Sequence, residues 1–130
     1  MDARLVLCGH GGFGTGLHGA LTLLCGDDGR VRSLDFREGD SFDELCERME
    51  GLVAENAGAP TVICTDVQGG SPFKASMLTR MKHPEVRLVT GTNFPVLMEL
   101  MFPAKEPENV DALVAGAVAA ARGALTSFEM

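Results

Sequence analysis

Four short apolar runs, Leu5 to Cys8, Val31 to Phe36, Pro60 to Thr65 and Val86 to Thr90, each give way to a stretch with helical spacing. That alternation predicts a mostly parallel central sheet wrapped by helices on both faces, a three-layer α-β-α member of the α/β class. The first helical stretch, beginning at about Gly14 or Thr15, aligns Phe13, Leu17, Ala20, Leu21 and Leu24 in one apolar stripe. The second does the same with Phe42, Leu45, Cys46, Met49, Leu52 and Val53, and Ser41-Phe-Asp-Glu44 before it has the pattern of a capping box. Ser71-Pro72 predicts a third helix with Ser71 as N-cap and Pro72 at the first helical position. A short fourth helix is expected near Pro95. Pro103 and Pro107 separate it from a last one running from about Asn109 to Ala121, with Val110, Leu113, Val114, Ala117, Val118 and Ala121 inward. The remaining Gly123 to Phe128 is too short for a helix and reads as a fifth strand.

Bulk properties narrow the field. A length of 130 residues and 45% hydrophobic content suit a single domain spanning 1–130. The net charge of -7 argues against nucleic acid, which asks for clustered Lys and Arg. No apolar run approaches the roughly 18 residues of a membrane span, and Met1-Asp-Ala-Arg leads straight into a strand, so a cytoplasmic protein is expected. Cys8, Cys25, Cys46 and Cys64 are widely spaced with no C-x-x-C, which favours free thiols in a reducing compartment over disulfides or a metal site.

Chemistry concentrates at three strand ends, where ligands of open parallel sheets gather. The first offers Gly9-His10-Gly11-Gly12, the third Thr65-Asp66-Val-Gln-Gly69-Gly70-Ser71-Pro72, and the fourth Thr90-Gly91-Thr92-Asn93-Phe94-Pro95. A histidine among glycines pairs a nucleophile with backbone N–H groups able to cradle an oxyanion, which points to phosphoryl transfer. His18, on a helix flank, and His83, before Pro84, read as structural. One rival is formally complete: Gly9-x-Gly11-x-x-Gly14, with Asp35 about 20 residues on, has the spacing of a dinucleotide fingerprint. Against it stand the imidazole inserted between the glycines, the lack of room for a substrate domain, and an Asp66–Pro72 segment left without a role. Cys8 as a phosphatase nucleophile lacks an arginine in its loop to clamp phosphate.

With Gly-His10-Gly, Thr65-Asp66-x-x-Gly-Gly-Ser-Pro-Phe73 and Gly91-Thr-Asn93-Phe-Pro95-x-Leu97-x-Glu99 in place, the whole chain resembles the enzyme IIA component of mannose-family sugar phosphotransferase systems. The resemblance implies four parallel strands plus a C-terminal antiparallel strand, Gly123 to Phe128, exchanged in a homodimer. It implies that His10 takes a phosphoryl group from the phosphocarrier HPr and gives it to a IIB component, here expected on a separate chain, with the membrane involved only through the permease complex. Asp66 matches the carboxylate that orients the imidazole, and Ser71 a hydroxyl near the phosphoryl group.

General chemistry is consistent with these roles. Phosphoryl transfer asks a protein mainly for positioning and charge stabilisation. A carboxylate on one imidazole nitrogen fixes the tautomer and leaves the other as nucleophile. Gly11, Gly12, Gly70 and Ser71 are the expected phosphoryl-binding positions, with no metal or other cofactor. Three residues depart from the family pattern: Gly14 where alanine is frequent, Gln68 where an apolar or aromatic residue is frequent, and Lys74 where asparagine usually follows the phenylalanine. Two related readings stay open: a regulatory phosphohistidine module, and the phosphotransfer subunit of a dihydroxyacetone kinase.

Overall fold

A computed structural model describes residues 1–130. Four strands, β1 (Arg4–His10), β2 (Val31–Phe36), β3 (Thr61–Thr65) and β4 (Arg87–Val89), form one parallel sheet in the order β2-β1-β3-β4. Five helices cover it: α1 (Phe13–Cys25), α2 (Phe42–Glu55), α3 (Ser71–Lys82), α4 (Phe94–Met101) and α5 (Val110–Arg122). The three-layer expectation holds.

Alternation along the central strands explains the two cores. Leu5 and Leu7 of β1 point to one face, where they meet Leu21 of α1, Leu97 and Leu100 of α4, and Leu113 and Ala117 of α5. Val6 and Cys8 point to the other, against Leu45, Met49 and Val53 of α2 and Ala75 of α3. Because β1 lies between two strands and under helices on both sides, it reads as a continuous apolar run. Met49, with no exposed surface, contributes about 1.5–3 kcal/mol by its burial.

Gly14 marks the closest approach between layers. A β-carbon there would stand 2.8 Å from the Leu7 carbonyl oxygen and 2.5 Å from that of Leu34. The start of α1 thus lies directly on the backbones of β1 and β2, and even an alanine at this position has no room in this chain.

Several boundaries differ from expectation. β1 continues to His10, which pairs with Phe36, so the histidine is the last residue of a strand rather than part of a loop. Gly70, extended at φ -94° and ψ 173°, is the N-cap of α3, and Ser71 is its first residue. Asn93 caps α4, its Oδ1 accepting the Val96 N–H at 3.0 Å, so the helix begins one residue before Pro95. Leu24 is 68% exposed because the stripe of α1 leaves the sheet after Leu21. Residues 125–130 form no strand within the single chain; Leu125 and Phe128 are exposed. No helix is long and apolar enough to cross a membrane.

Candidate active site

Strand order brings the histidine and the carboxylate together. β1 and β3 are neighbours with Cys8 opposite Thr65, so His10, two residues on, stands beside Asp66, one residue past β3. Asp66 Oδ2 accepts the His10 backbone N–H at 2.9 Å and a hydrogen bond from His10 Nδ1 at 2.8 Å, while Oδ1 accepts the Val67 N–H at 2.8 Å. An ionised carboxylate only accepts, so Nδ1 carries the proton and Nε2 keeps its lone pair. Partial burial by itself raises the Asp66 pKa; the hydrogen bonds from His10 and Val67 outweigh it and hold the carboxyl below its ordinary 3.8. The group is therefore ionised throughout the physiological range.

Nε2 faces the start of α3. A β-carbon on Gly70 would lie 2.9 Å from Nε2, so only glycine lets the helix terminus come up against the ring. The N–H groups of Gly70, Ser71 and Phe73 have no acceptor within the chain, and Pro72 has none to offer. These donors and the helix dipole give the space beside Nε2 a positive potential, which suits an anion attached to that atom. Ser71 is half-buried on the same turn. On the opposite side the Phe36 ring meets the imidazole edge-on, with centroids 6.4 Å apart.

Of the two glycines after His10, Gly11 departs from the expectation. Gly11, at φ 58°, donates its N–H to the Phe36 carbonyl at 2.9 Å, so that donor is committed to the fold. Gly12 is the N-cap of α1, its carbonyl accepting the Gly16 N–H at 2.8 Å. The start of α1 is already occupied: Asp35 Oδ1 accepts the Thr15 N–H at 3.0 Å, Oδ2 accepts the Thr15 hydroxyl at 2.7 Å, and Arg37 Nη2 donates to Oδ2 at 3.0 Å. The aspartate of the dinucleotide-like spacing is thus a helix-capping group. Sequence reasoning missed this role, although the hydroxyl of Thr15 next to Gly14 was the signal that could have revealed it.

The loop after β4 supports the rim without reaching the imidazole through any contact seen here. Thr92 N–H donates to Thr65 O at 3.1 Å, and Asn93 Nδ2 donates to Ala121 O at 3.1 Å, tying the loop to β3 and α5. Cys8 lies beneath the site, and burial, with Asp66 and Asp35 nearby, pushes its thiol up to about 12, far from a nucleophile's range. His18 bonds Ser33 at 3.1 Å, and His83 lies near Glu50 and Glu85; neither joins the rim.

The His10 side chain is 48% exposed and its Asp66 partner 14%. Five cavities of about 150 to 440 Å³ dent the surface, and none is lined by His10, Asp66 or Ser71. Small-molecule enzymes enclose their substrates in concave pockets. A nucleophile on an open rim suits another protein's surface instead.

Comparison with known proteins agrees with this geometry. A family model described as the PTS system fructose IIA component, EIIA-man, matches residues 4–118. The sorbose-specific EIIA component of Klebsiella pneumoniae is 27% identical over 96 residues, 74% of this chain and 70% of that protein. The mannose-specific EIIAB component of Escherichia coli K12 is 27% identical over 94% of this chain, which spans 38% of that longer protein. Among solved structures, the mannose/sorbose-specific IIA subunit from Enterococcus faecalis superposes with a TM-score of 0.88 at 22% identity, covering 100% of this chain and 97% of that one. With the fold, the rim histidine and a match over nearly its whole length, this chain belongs to the mannose-type EIIA family of the sugar phosphotransferase system.

Proposed function

We propose that the chain is a cytoplasmic phosphocarrier of a phosphoenolpyruvate-dependent sugar phosphotransferase system, with His10 accepting a phosphoryl group from phospho-HPr and passing it to a IIB component. The observation that carries this reading is the 2.8 Å bond from His10 Nδ1 to Asp66, which leaves Nε2 as nucleophile on an exposed rim. In the transfer the Nε2 lone pair attacks phosphorus, and the bond from phosphorus to the donor imidazole breaks with its electron pair returning to the donor nitrogen. His10 becomes a phosphorylated imidazolium and the donor a neutral imidazole. The Nδ1 proton stays in place throughout, and Asp66 stabilises the new positive charge. Ser71 and the free N–H groups of Gly70, Ser71 and Phe73 hold the phosphoryl oxygens. Gly11 and Gly12 turn the chain away from the ring and leave partners room to approach. The second transfer, to IIB, is the reverse of these steps with a different nucleophile.

Incubated with phosphoenolpyruvate, enzyme I and HPr, the purified protein should take up one acid-labile, alkali-stable phosphoryl group, mapped by peptide mass to His10. A chain that stays unlabelled, or label on His18 or His83, would overturn the assignment.

The tail bears on assembly. β4 is an edge strand of three residues, and the apolar Leu125 and Phe128 are 86% and 85% exposed. Edge strands with unpaired backbone groups invite a further strand. In our reading each tail adds antiparallel to the sheet of a second copy, giving a homodimer. Truncation after Gly123 should turn a dimer into monomer or aggregate by light scattering after size exclusion; a soluble dimer of unchanged mass rules out the exchange.

A further inference from the structure

Lys74 occupies an unusual place for a cation. It sits on the first turn of α3, where the helix dipole disfavours positive charge. Its N–H donates to the Gly70 carbonyl at 3.0 Å, so Lys74 shares a helix face with Gly70, the residue against His10 Nε2, and with Ser71 three positions back. Helical side chains lean towards the N-terminus and cover the surface about one turn before their own Cα. For Lys74 that surface is Gly70 and, beyond it, the edge of the imidazole.

Its ammonium has no carboxylate to hold it. Arg37 is anchored on Asp35 and Lys82 on Glu50, whereas Lys74 Nζ rests 5.8 Å over the ring of Phe42, at the start of α2. A cation–π contact at an exposed position is weak, and the four-carbon stem turns freely. Lys74 is thus a cation one helical turn from Gly70, resting on a shelf it can leave at small cost.

The site has use for it. Once Nε2 carries a phosphoryl group, two negative charges stand on the oxygens while Asp66 already neutralises the imidazolium, and the chain as a whole carries a charge of -7. Backbone N–H groups supply only partial positive charge. Resting on the phosphocarrier reading above, we propose that Lys74 is a further catalytic residue: its ammonium leaves Phe42 when the phosphoryl group arrives at Nε2 and donates a hydrogen bond to a phosphoryl oxygen. Lys74 keeps its protons throughout, so the balance of the transfer is unchanged. It acts by charge and hydrogen bonding on the group in flight.

The test reads the shelf and the rate together. In the free wild-type protein the Lys74 ε-methylene protons should resonate upfield, shifted by the Phe42 ring and assigned by their loss in Lys74→Met. On phosphorylation of His10 that shift should relax towards the ordinary lysine value. Lys74→Met, which keeps the length of the stem, should lower the maximal rate of phosphoryl uptake from phospho-HPr by about tenfold with the KM for HPr changed less than about twofold, and Lys74→Arg should recover most of it. An unmoved ring-current shift in protein whose His10 is labelled, a Lys74→Met rate equal to wild type, or a change confined to KM overturns the proposal while leaving the carrier reading intact. Absence of label on His10 overturns both.

Discussion

Asp66→Asn is expected to slow phosphoryl uptake at His10 by about 10²- to 10⁴-fold while the protein stays folded. The carboxylate accepts three hydrogen bonds, two from His10 and one from Val67, and every facing atom is a donor. Asparagine has one accepting oxygen and one donating NH2. With the oxygen towards His10, the NH2 opposes the Val67 N–H. Turned round, it opposes the His10 N–H and offers a proton to Nδ1, so the ring takes the tautomer protonated at Nε2 and the nucleophile is lost. Initial rates of label uptake, with imidazole nitrogen NMR to identify the tautomer, check both parts. A variant that labels at the wild-type rate removes Asp66 from the mechanism. The pH dependence of stability provides a second readout. A carboxyl whose native pKa lies below its unfolded value of 3.8 stabilises the fold above that value, and the contribution is lost as pH falls through the native pKa. The stability gap between wild type and Asp66→Asn should therefore narrow in strong acid.

Gly70→Ala should be nearly as damaging to transfer, by a route that leaves the backbone unstrained. At φ -94° and ψ 173° the residue has a conformation any amino acid adopts, so the glycine is not there for its conformational freedom. It is there because a methyl group would lie 2.9 Å from Nε2 and 3.5 Å from Nδ1. Either the imidazole swings away from Asp66 or the start of α3 recedes, and in both cases the methyl stands where the phosphoryl group must enter. Displacement of about 1 Å in a positioned nucleophile costs on the order of 10²-fold in rate. Label uptake should fall by at least about that factor with a melting temperature within a few degrees of wild type. Uptake at the wild-type rate shows that α3 does not shape the site.

What could be read in advance divides along a physical line. The strands were legible because β1 and β3 are buried on both faces and their apolar runs have nowhere else to go; Thr61 to Thr65 is buried throughout. His10 and Asp66 were legible because one ends a strand and the other directly follows one, and adjacent parallel strands put their ends side by side. Gly70 was placed near the phosphoryl group, but its contact with the ring depends on a side chain from another strand and on the cap falling one residue before Ser71. Leu24 has the spacing of an inward residue on a helix that has already outrun the sheet. Residues 123–128 read as a strand, yet a strand forms only by pairing with an edge, and within the single chain residues 125–130 pair with neither β2 nor β4.

Asp35 has a wider consequence. Two helices begin on the His10 rim, and a helix start attracts any anion in solution. At α1 that place is held by a carboxylate tethered to the chain, kept ionised by Thr15 and Arg37 although burial works against it. A tethered group acts at an effective concentration that dilute solutes do not reach. Nucleotides and free phosphate thus meet an internal competitor at Thr15, the third residue of α1. The rim has two helix starts of similar make, and at one of them the protein supplies its own anion, which leaves the start of α3 as the one without a charged occupant.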